Sequence, residues 1–281
     1  MEQKTILVVG LGLIGGSLAI GLKGFEDYAI VGCDVSQPTL RFAAEHGICD
    51  RLTEHAADAV PSADVTLLCL HPQGILDFMK EHAGRFKQGS LVTDVCGVKT
   101  AIMEGASALP ECVDFIGGHP MAGTEFSGIE HAFGEMFQLA HYLVTPRETS
   151  TPDHLDLLRR MAEHIGFRDF ITTTPEQHDA MIAYTSQMMH IIALSVCDDE
   201  GLFTCKGFEG NSFRDCTRVA ALDVPLWTQL FSLNAPALDK VLAELEVHLA
   251  DYRKALQSGD RSALADKLRY SAARKRQMNL E

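Results

Sequence analysis

The sequence predicts an α/β fold, a mainly parallel sheet doubly wound by helices, followed by an all-helical C-terminal domain. Three observations predict it. Up to Thr174, short apolar runs alternate with helical stretches, the pattern of strands joined by right-handed crossovers. The runs are continuously apolar, as in Thr5–Gly10 (TILVVG), which fits strands covered on both faces. Beyond Thr174 no clear strand pattern remains, and the junction Thr174-Pro175-Glu176-Gln177 is a capping box with Pro at the first helical position. The expected domains are therefore residues 1–174 and 175–281.

The elements follow in order. Thr5–Gly10 is the first strand and Leu13–Lys23 its helix. Ala29–Val35 is the second strand, and Pro38 opens a helix that stops at Gly47. Asp64–Leu70 and Ser90–Val95 are further strands, each followed by a helical segment. Phe115–Gly118, His141–Thr145 and Phe167–Thr173 are shorter ones. The second domain begins with one long, largely apolar helix from Thr174 to Asp199. Asn211–Ala221, Pro225–Leu233, Ala237–Gln257 and Arg261–Gln277 are helical in character. The apolar face of Ala180–Val196, rich in Met, Ile and Ala, exceeds what a small domain can bury and points to a homodimer.

Composition narrows the function. The chain has 281 residues, 46% apolar and 22% charged, with a formal net charge of −14. An excess of acid argues against nucleic acid or an anionic membrane surface as partner. Arg269, Arg274, Lys275 and Arg276 cluster at the C-terminus, where cations suit a solvated helix end. The opening MEQKTILVVG does not read as a signal peptide, and no stretch approaches ~18 uninterrupted apolar residues. The eight Cys are scattered without a C-x-x-C pair, as free thiols of a cytoplasmic protein would be, and no metal site is assigned.

Gly10-Leu11-Gly12-Leu13-Ile14-Gly15 is G-x-G-x-x-G, placed directly after a strand and opening a helix. That context makes it a dinucleotide fingerprint of the Rossmann type. Gly10 permits the tight turn, Gly12 lets the backbone approach a pyrophosphate, and Gly15 lets helix and strand pack closely. The start of the helix, with Leu13 and Ile14, offers free N–H groups to the phosphates. Asp34 ends the second strand, where a carboxylate accepts from ribose hydroxyls and repels a 2′-phosphate. No Arg follows it, so the cofactor is read as NAD.

Two further clusters carry chemistry. His119 follows a strand in Gly117-Gly118-His119-Pro120-Met121-Ala122-Gly123-Thr124-Glu125, on a turn at the sheet's ligand-binding edge. A histidine there can take a proton from an alcohol as hydride leaves, although a turn histidine taken alone is more often structural. Arg214 and Arg218 lie four residues apart and share a helix face, which in an acidic chain suggests a carboxylate clamp. For Arg214, pairing with Asp215 or nearby acids is the preferred reading. The long helix carries Ser186, Gln187 and His190 on one face, a polar set that lines a cavity or satisfies itself in the core. His178 and Asp179 read as its capped, solvated start, and Trp227 as core packing.

VVGLGLIGGSLA, VTDVCGVK, FIGGHPMAGTEFSG, HDAMIAYTSQMMH and SFRDCTRVA followed by Trp227 occur in one order across nearly the whole chain. In this the chain resembles the prephenate/arogenate (cyclohexadienyl) dehydrogenase family. The resemblance implies NAD-dependent oxidative decarboxylation of a cyclohexadienyl acid on the path to tyrosine, by a homodimer. It implies His119 as the group that deprotonates the ring hydroxyl and Arg218 as the carboxylate anchor. Thr124, Glu125, His190 and Trp227 would support the substrate. Prephenate is the expected substrate, with arogenate, or both, as the alternative. A non-enzymatic NAD-binding sensor is remote. A β-hydroxyacid dehydrogenase would use a Lys on the long helix, and none lies between Thr174 and Cys205. A chain ending at Glu281 is expected to carry no appended regulatory domain.

Three departures from the family pattern stand out. Gly97 occupies a position usually held by Ser, so a hydroxyl assisting His119 is missing; Cys96, Thr100 or a water could stand in. Ser186-Gln187-Met188-Met189-His190 keeps only the second His of S-H-x-P-H. Asn211 and Ser212 precede F-R-D where Gly is usual.

Overall fold

Alternate residues of the first strand face opposite ways, and that alternation builds the molecule's two apolar layers. Ile6 and Val8 join one core with Ile30, Leu67 and Ile116; Leu7 and Val9 join the other with Val31, Leu68 and Phe115. The computed structural model describes residues 3–279. Its first part runs β1 (Lys4–Val9), α1 (Leu13–Gly21), β2 (Tyr28–Cys33), α2 (Gln37–Glu45), β3 (Arg51–Thr53), α3 (Ala56–Ala59), β4 (Val65–Leu68) and α4 (Pro72–His82). It continues with β5 (Leu91–Asp94), α5 (Thr100–Gly105), β6 (Asp114–Pro120), β7 (His141–Pro146), α6 (Pro152–Ile165) and β8 (Asp169–Thr172). The sheet order is β3-β2-β1-β4-β5-β6-β7-β8. Every described pairing is parallel except β6 with β7. Strands are added outward in one direction from β1 to β3 and in the other from β4 onward, so the gap between β1 and β4 is the switch point at which doubly wound sheets bind ligands.

Helices α1 and α6 cover the first face, and α4 and α5 the second. Local chemistry fixes their ends. Ser36 Oγ accepts from Thr39 N at the start of α2, and Thr151 Oγ1 from His154 N at the start of α6. Helix α6 ends on Gly166 in the left-handed region.

Two sequence expectations change here. The edge strand β3 was absent from them. His119 does not follow a strand on a turn; it lies inside β6, opposite Leu143 of β7. Gly117 and Gly118 mimic a turn signal for a packing reason. A Cβ on Gly117 would collide with Thr145, and one on Gly118 with Tyr142 and the Asp94 carbonyl.

The helical part begins at Thr174, whose hydroxyl accepts from Gln177 N. It comprises α7 (Pro175–Ile182), a π-helical turn (Ala183–Gln187), α8 (Met188–Cys197), α9 (Gly201–Thr204), α10 (Asn211–Thr217), α11 (Val224–Leu233), α12 (Ala235–Ser258) and α13 (Arg261–Met278). Secondary-structure class thus changes at Thr174, whereas compactness breaks between Asn234 and Ala235. Helices α7 to α11 pack with the sheet because α7 buries His178, Asp179 and Ile182. The unit from Ala235 is a helical pair, joined by Tyr252 Oη and Ser271 Oγ at 3.0 Å. It leaves Val247, Leu249, Leu256 and Leu268 exposed. The run Pro175–Cys197 has a mean hydropathy of 1.4 and is long and apolar enough to cross a bilayer by length and composition alone. The expectation that no stretch came near this counted uninterrupted apolar residues; the run is broken by His178, Asp179 and Gln187, all buried in the protein.

The turn from β1 into α1 is the tightest point of the fold. Gly10 has φ +88°, its N–H donates to the Cys33 carbonyl at 2.8 Å, and a Cβ on it would strike the Cys69 carbonyl. A Cβ on Gly15 would overlap the Gly10 carbonyl oxygen. Gly15→Ala is therefore expected to destabilise the chain by ~1–3 kcal/mol, the usual cost of overpacking against backbone. Urea unfolding reads this directly, and an unchanged midpoint would contradict the close approach.

Candidate active site

The C-terminal ends of β1, β2, β5 and β6 share one edge of the sheet, since these strands are parallel. At the β1 end, α1 starts from Gly12 without any side-chain cap. Its first N–H groups have no intrahelical partner, and the helix dipole adds partial positive charge. Leu13 is buried and Ile14 packs against the same core, so both offer backbone rather than side chain. A Cβ on Gly12 would meet nothing within 4 Å, which leaves open space in front of the helix end. Asp34 accepts from Leu11 N through Oδ2 and from Ser36 N through Oδ1, each at 2.8 Å. Each oxygen keeps a further lone pair for an incoming hydroxyl. Open donors, a glycine at the approach and a fixed acid at the end of β2 fit a dinucleotide with free ribose hydroxyls.

On β6, His119 is half-buried. Its Nδ1 lies 2.9 Å from His178 Nε2, and His178 Nδ1 lies 2.8 Å from Asp179 Oδ1. Asp179 also accepts from Lys99 N at 2.7 Å and Thr100 N at 2.8 Å. Beneath them the Lys99 ammonium pairs with Asp94, both side chains fully buried. Asp94 in turn accepts from Cys96 N at 2.8 Å and Gly118 N at 3.1 Å. Asn234 donates to the Asp179 carbonyl at 2.9 Å and to Gln187 Oε1 at 2.7 Å.

Electrostatics here favour a neutral imidazole. Burial first, then His178 and the Lys99 ammonium, hold His119 well below the ordinary histidine range, against the opposing pull of Asp179. Burial also lowers His178. Burial alone would raise the Asp179 carboxyl, but hydrogen bonds from His178, Thr100 and Lys99 outweigh it and bring it down. The other ring nitrogen of His119 lies beside Gly97: a Cβ there would stand 3.7 Å from Nε2 and 3.6 Å from Leu230. Of the two side chains that could stand in for a hydroxyl there, the Cys96 thiol is buried and pushed up to about 12, and Thr100 bonds Asp179 through its side chain as well as its backbone N–H.

The helical part supplies the opposite wall. Trp227 lies one turn before Leu230 on α11 and packs on the edge of the second core. The His190 ring lies over it with centroids 3.7 Å apart and planes 31° apart, and His190 Nδ1 is 3.0 Å from the Ser186 carbonyl. Burial lowers the His190 pKa, and the Arg218 charge lowers it further. Arg218 extends from the end of α10 with 59% of its side chain exposed, 3.7 Å from Glu125 Oε2. Thr124 Oγ1 accepts from Phe126 N at 3.3 Å. Arg214 reaches the Glu209 carbonyl at 3.5 Å; backbone hydrogen bonds, and after them the Arg214 charge, lower the Glu209 carboxyl.

The structure thus links His119 through Gly97 to Leu230 on the helix that carries Trp227, Trp227 to His190, and His190 through Arg218 to Glu125. Trp227 packs against the second core, as expected, and also lies against the His190 ring. His178 and Asp179 are the clear correction: they are not a solvated helix start but are 2% and 4% exposed. The available signal was an adjacent His-Asp pair on an otherwise apolar helix. Lys99 and Asp94 were also missed; an acid closing an apolar strand, with a lysine five residues on, was the hint.

Comparison with known proteins shows the family. The family model for the prephenate dehydrogenase nucleotide-binding domain matches residues 18–170, and that for the prephenate dehydrogenase dimerization domain matches residues 174–270. A cyclohexadienyl dehydrogenase from Zymomonas mobilis is 30% identical over 276 residues, covering 95% of this chain and 94% of the relative. The crystal structure of Synechocystis arogenate dehydrogenase superposes with a TM-score of 0.83 at 31% identity, covering 98% of this chain and 99% of that one. A prephenate dehydrogenase from A. aeolicus, solved with hydroxyphenyl propionate and NAD+, gives a TM-score of 0.88 at 25% identity, covering 99% of both chains. Matched by both family models and by relatives over nearly its whole length, the chain belongs to the prephenate dehydrogenase family of NAD-dependent dehydrogenases.

Proposed function

We propose that the chain is a prephenate dehydrogenase, converting prephenate to 4-hydroxyphenylpyruvate and CO2 in tyrosine biosynthesis, as a cytoplasmic homodimer. The observation that carries this reading is the half-buried His119 beside Gly97, held below the ordinary histidine range, together with Arg218, largely exposed and near Glu125. Residues 1–174 hold the dinucleotide through Gly10, Gly12, the Leu13 and Ile14 backbone, Gly15 and Asp34. Residues 175–281 complete the substrate site and dimerise. The family description of a dimerization domain supports this, as do exposed Met181, Tyr184, Met189 and Val196 on one helical run. Arogenate is the alternative substrate, favoured by the close fit to an arogenate dehydrogenase structure.

When bound, NAD supplies the hydride acceptor. His119 takes the proton of the ring hydroxyl as the hydrogen on the same carbon departs. The resulting ketone is conjugated with the carboxylate-bearing carbon, and loss of CO2 restores aromaticity, so the protein has no difficult anion to stabilise. Its work is orientation: Arg218 holds a substrate carboxylate, Thr124 and Glu125 line the approach, and the His190–Trp227 stack walls the ring.

Purified protein with NAD should form NADH when prephenate is supplied and more slowly with arogenate. Turnover only with arogenate would change the substrate, and turnover with neither would remove the reading. His119→Asn should cut kcat by ~10²–10⁴ with NAD affinity near normal; unchanged turnover would take His119 out of the role. Arg218→Ala should raise KM roughly 10- to 150-fold, the equivalent of a charged hydrogen bond worth ~1.5–3 kcal/mol. A fall in kcat with KM intact would contradict the anchor.

A further inference from the structure

The buried chain His119–His178–Asp179 has a direction, and the donor and acceptor inventory of its members sets it. Asp179 is 4% exposed and takes one backbone N–H on each oxygen, Lys99 on Oδ1 and Thr100 on Oδ2. Ionised, it can only accept, so His178 Nδ1 must donate to it across 2.8 Å. His178 is 2% exposed and neutral; with its proton on Nδ1, its Nε2 bears a lone pair. The group 2.9 Å from that lone pair is His119 Nδ1, which must therefore carry a proton. A neutral imidazole protonated at Nδ1 has its lone pair at Nε2, the nitrogen that lies beside Gly97 and away from His178.

We propose that His178, held by Asp179, is the positioning residue that fixes His119 as its Nδ1–H tautomer, so that Nε2 is the atom that receives the substrate's proton. This rests on the role of His119 given above. The wrong tautomer would present an N–H to the substrate hydroxyl and leave no base. The arrangement also acts after proton uptake. The imidazolium at His119 then stands two hydrogen bonds from the Asp179 carboxylate, which stabilises its charge as it forms and offsets the nearby Lys99 ammonium. Lys99 is itself paired with Asp94. Helix α7 is thereby part of the catalytic arrangement through Asp179 and His178, although neither touches the open space.

The test has a spectroscopic arm and a kinetic arm. In protein labelled with ¹⁵N-histidine, the His119 resonances, assigned by their loss in His119→Asn, should report Nδ1 protonated and Nε2 bare at neutral pH. The reverse pattern overturns the proposal whether or not the substrate is prephenate, so this arm is independent of the functional reading. In the NADH assay, His178→Leu should lower kcat by ~10²–10⁴ with substrate KM and NAD affinity within about twofold, the signature of a misoriented base. His178→Gln can accept from His119 through its carbonyl and donate to Asp179 through its amide. It should recover activity to within about tenfold of the native protein. Full activity in His178→Leu, or Gln no better than Leu, overturns the proposal. If the Leu variant does not fold, the ¹⁵N pattern of the native protein decides.

Discussion

A carboxylate removed from water is unfavourable by several kcal/mol unless its lone pairs are met, and Asp179 meets that demand from two directions. From the sheet side come Lys99 N and Thr100 N, at the start of the helix after β5; from its own helix comes His178 Nδ1. Asn234 closes the same knot from the end of α11 by donating to the Asp179 carbonyl. The helices after Thr174 are therefore seated on the dinucleotide-binding sheet by polar bonds of fixed geometry, and not by apolar contact alone. Apolar contact tolerates sliding; three charge-assisted bonds to one carboxylate do not. The relative placement of α7, β6 and α11, and hence of His119 and Trp227, follows from this joint.

A second buried pair sits one layer below. Asp94 ends β5, and its oxygens reach Cys96 N, Gly118 N and the Lys99 ammonium. It pins the loop after β5 to the strand that carries His119. The two acids thus act in series: Asp94 fixes the loop to β6, and Asp179 fixes α7 to the loop. An ion pair this deep contributes little net stability against an apolar equivalent, because desolvation consumes the attraction. Its presence is better explained by the field it sets. The Lys99 ammonium helps to keep the His119 ring neutral, and Asp179 limits how far that suppression goes.

The parts legible in the sequence were those governed by local chemistry. Continuous apolar runs marked β1, β2, β4 and β5; Gly10 to Gly15 marked the turn into α1; Thr174 and Pro175 marked the first helix of the second part. Strand β3 escaped because Arg51-Leu52-Thr53 is three residues at a sheet edge, with no apolar run to show. His119 was read as a turn residue because Gly117 and Gly118 look like turn chemistry. Their real cause, Thr145 and Tyr142 pressing from neighbouring positions, is tertiary. His178 and Asp179 were misread for the same reason. A His-Asp pair in the first turn of a helix suits solvent well, and only the approach of Lys99 and Thr100, 79 or 80 residues away, turns it into a buried relay. Local signals locate elements; the polar bonds that orient a base are long-range and leave little trace in spacing.

Gly97 gives that relay added weight. A base can be oriented from either ring nitrogen. Here Nδ1 is held at 2.9 Å by a partner that is itself held, while Gly97, beside Nε2, has no side chain to offer. The polar contact of the ring with His178 is thus made from the Nδ1 side. A side chain on Gly97 would come within van der Waals contact of both Nε2 and Leu230. A ring anchored on one nitrogen keeps its tautomer but tolerates variation in what approaches the other. This arrangement puts the two neighbours of the ring on different elements: His178 of α7 at Nδ1, and Gly97 of the loop after β5 near Nε2.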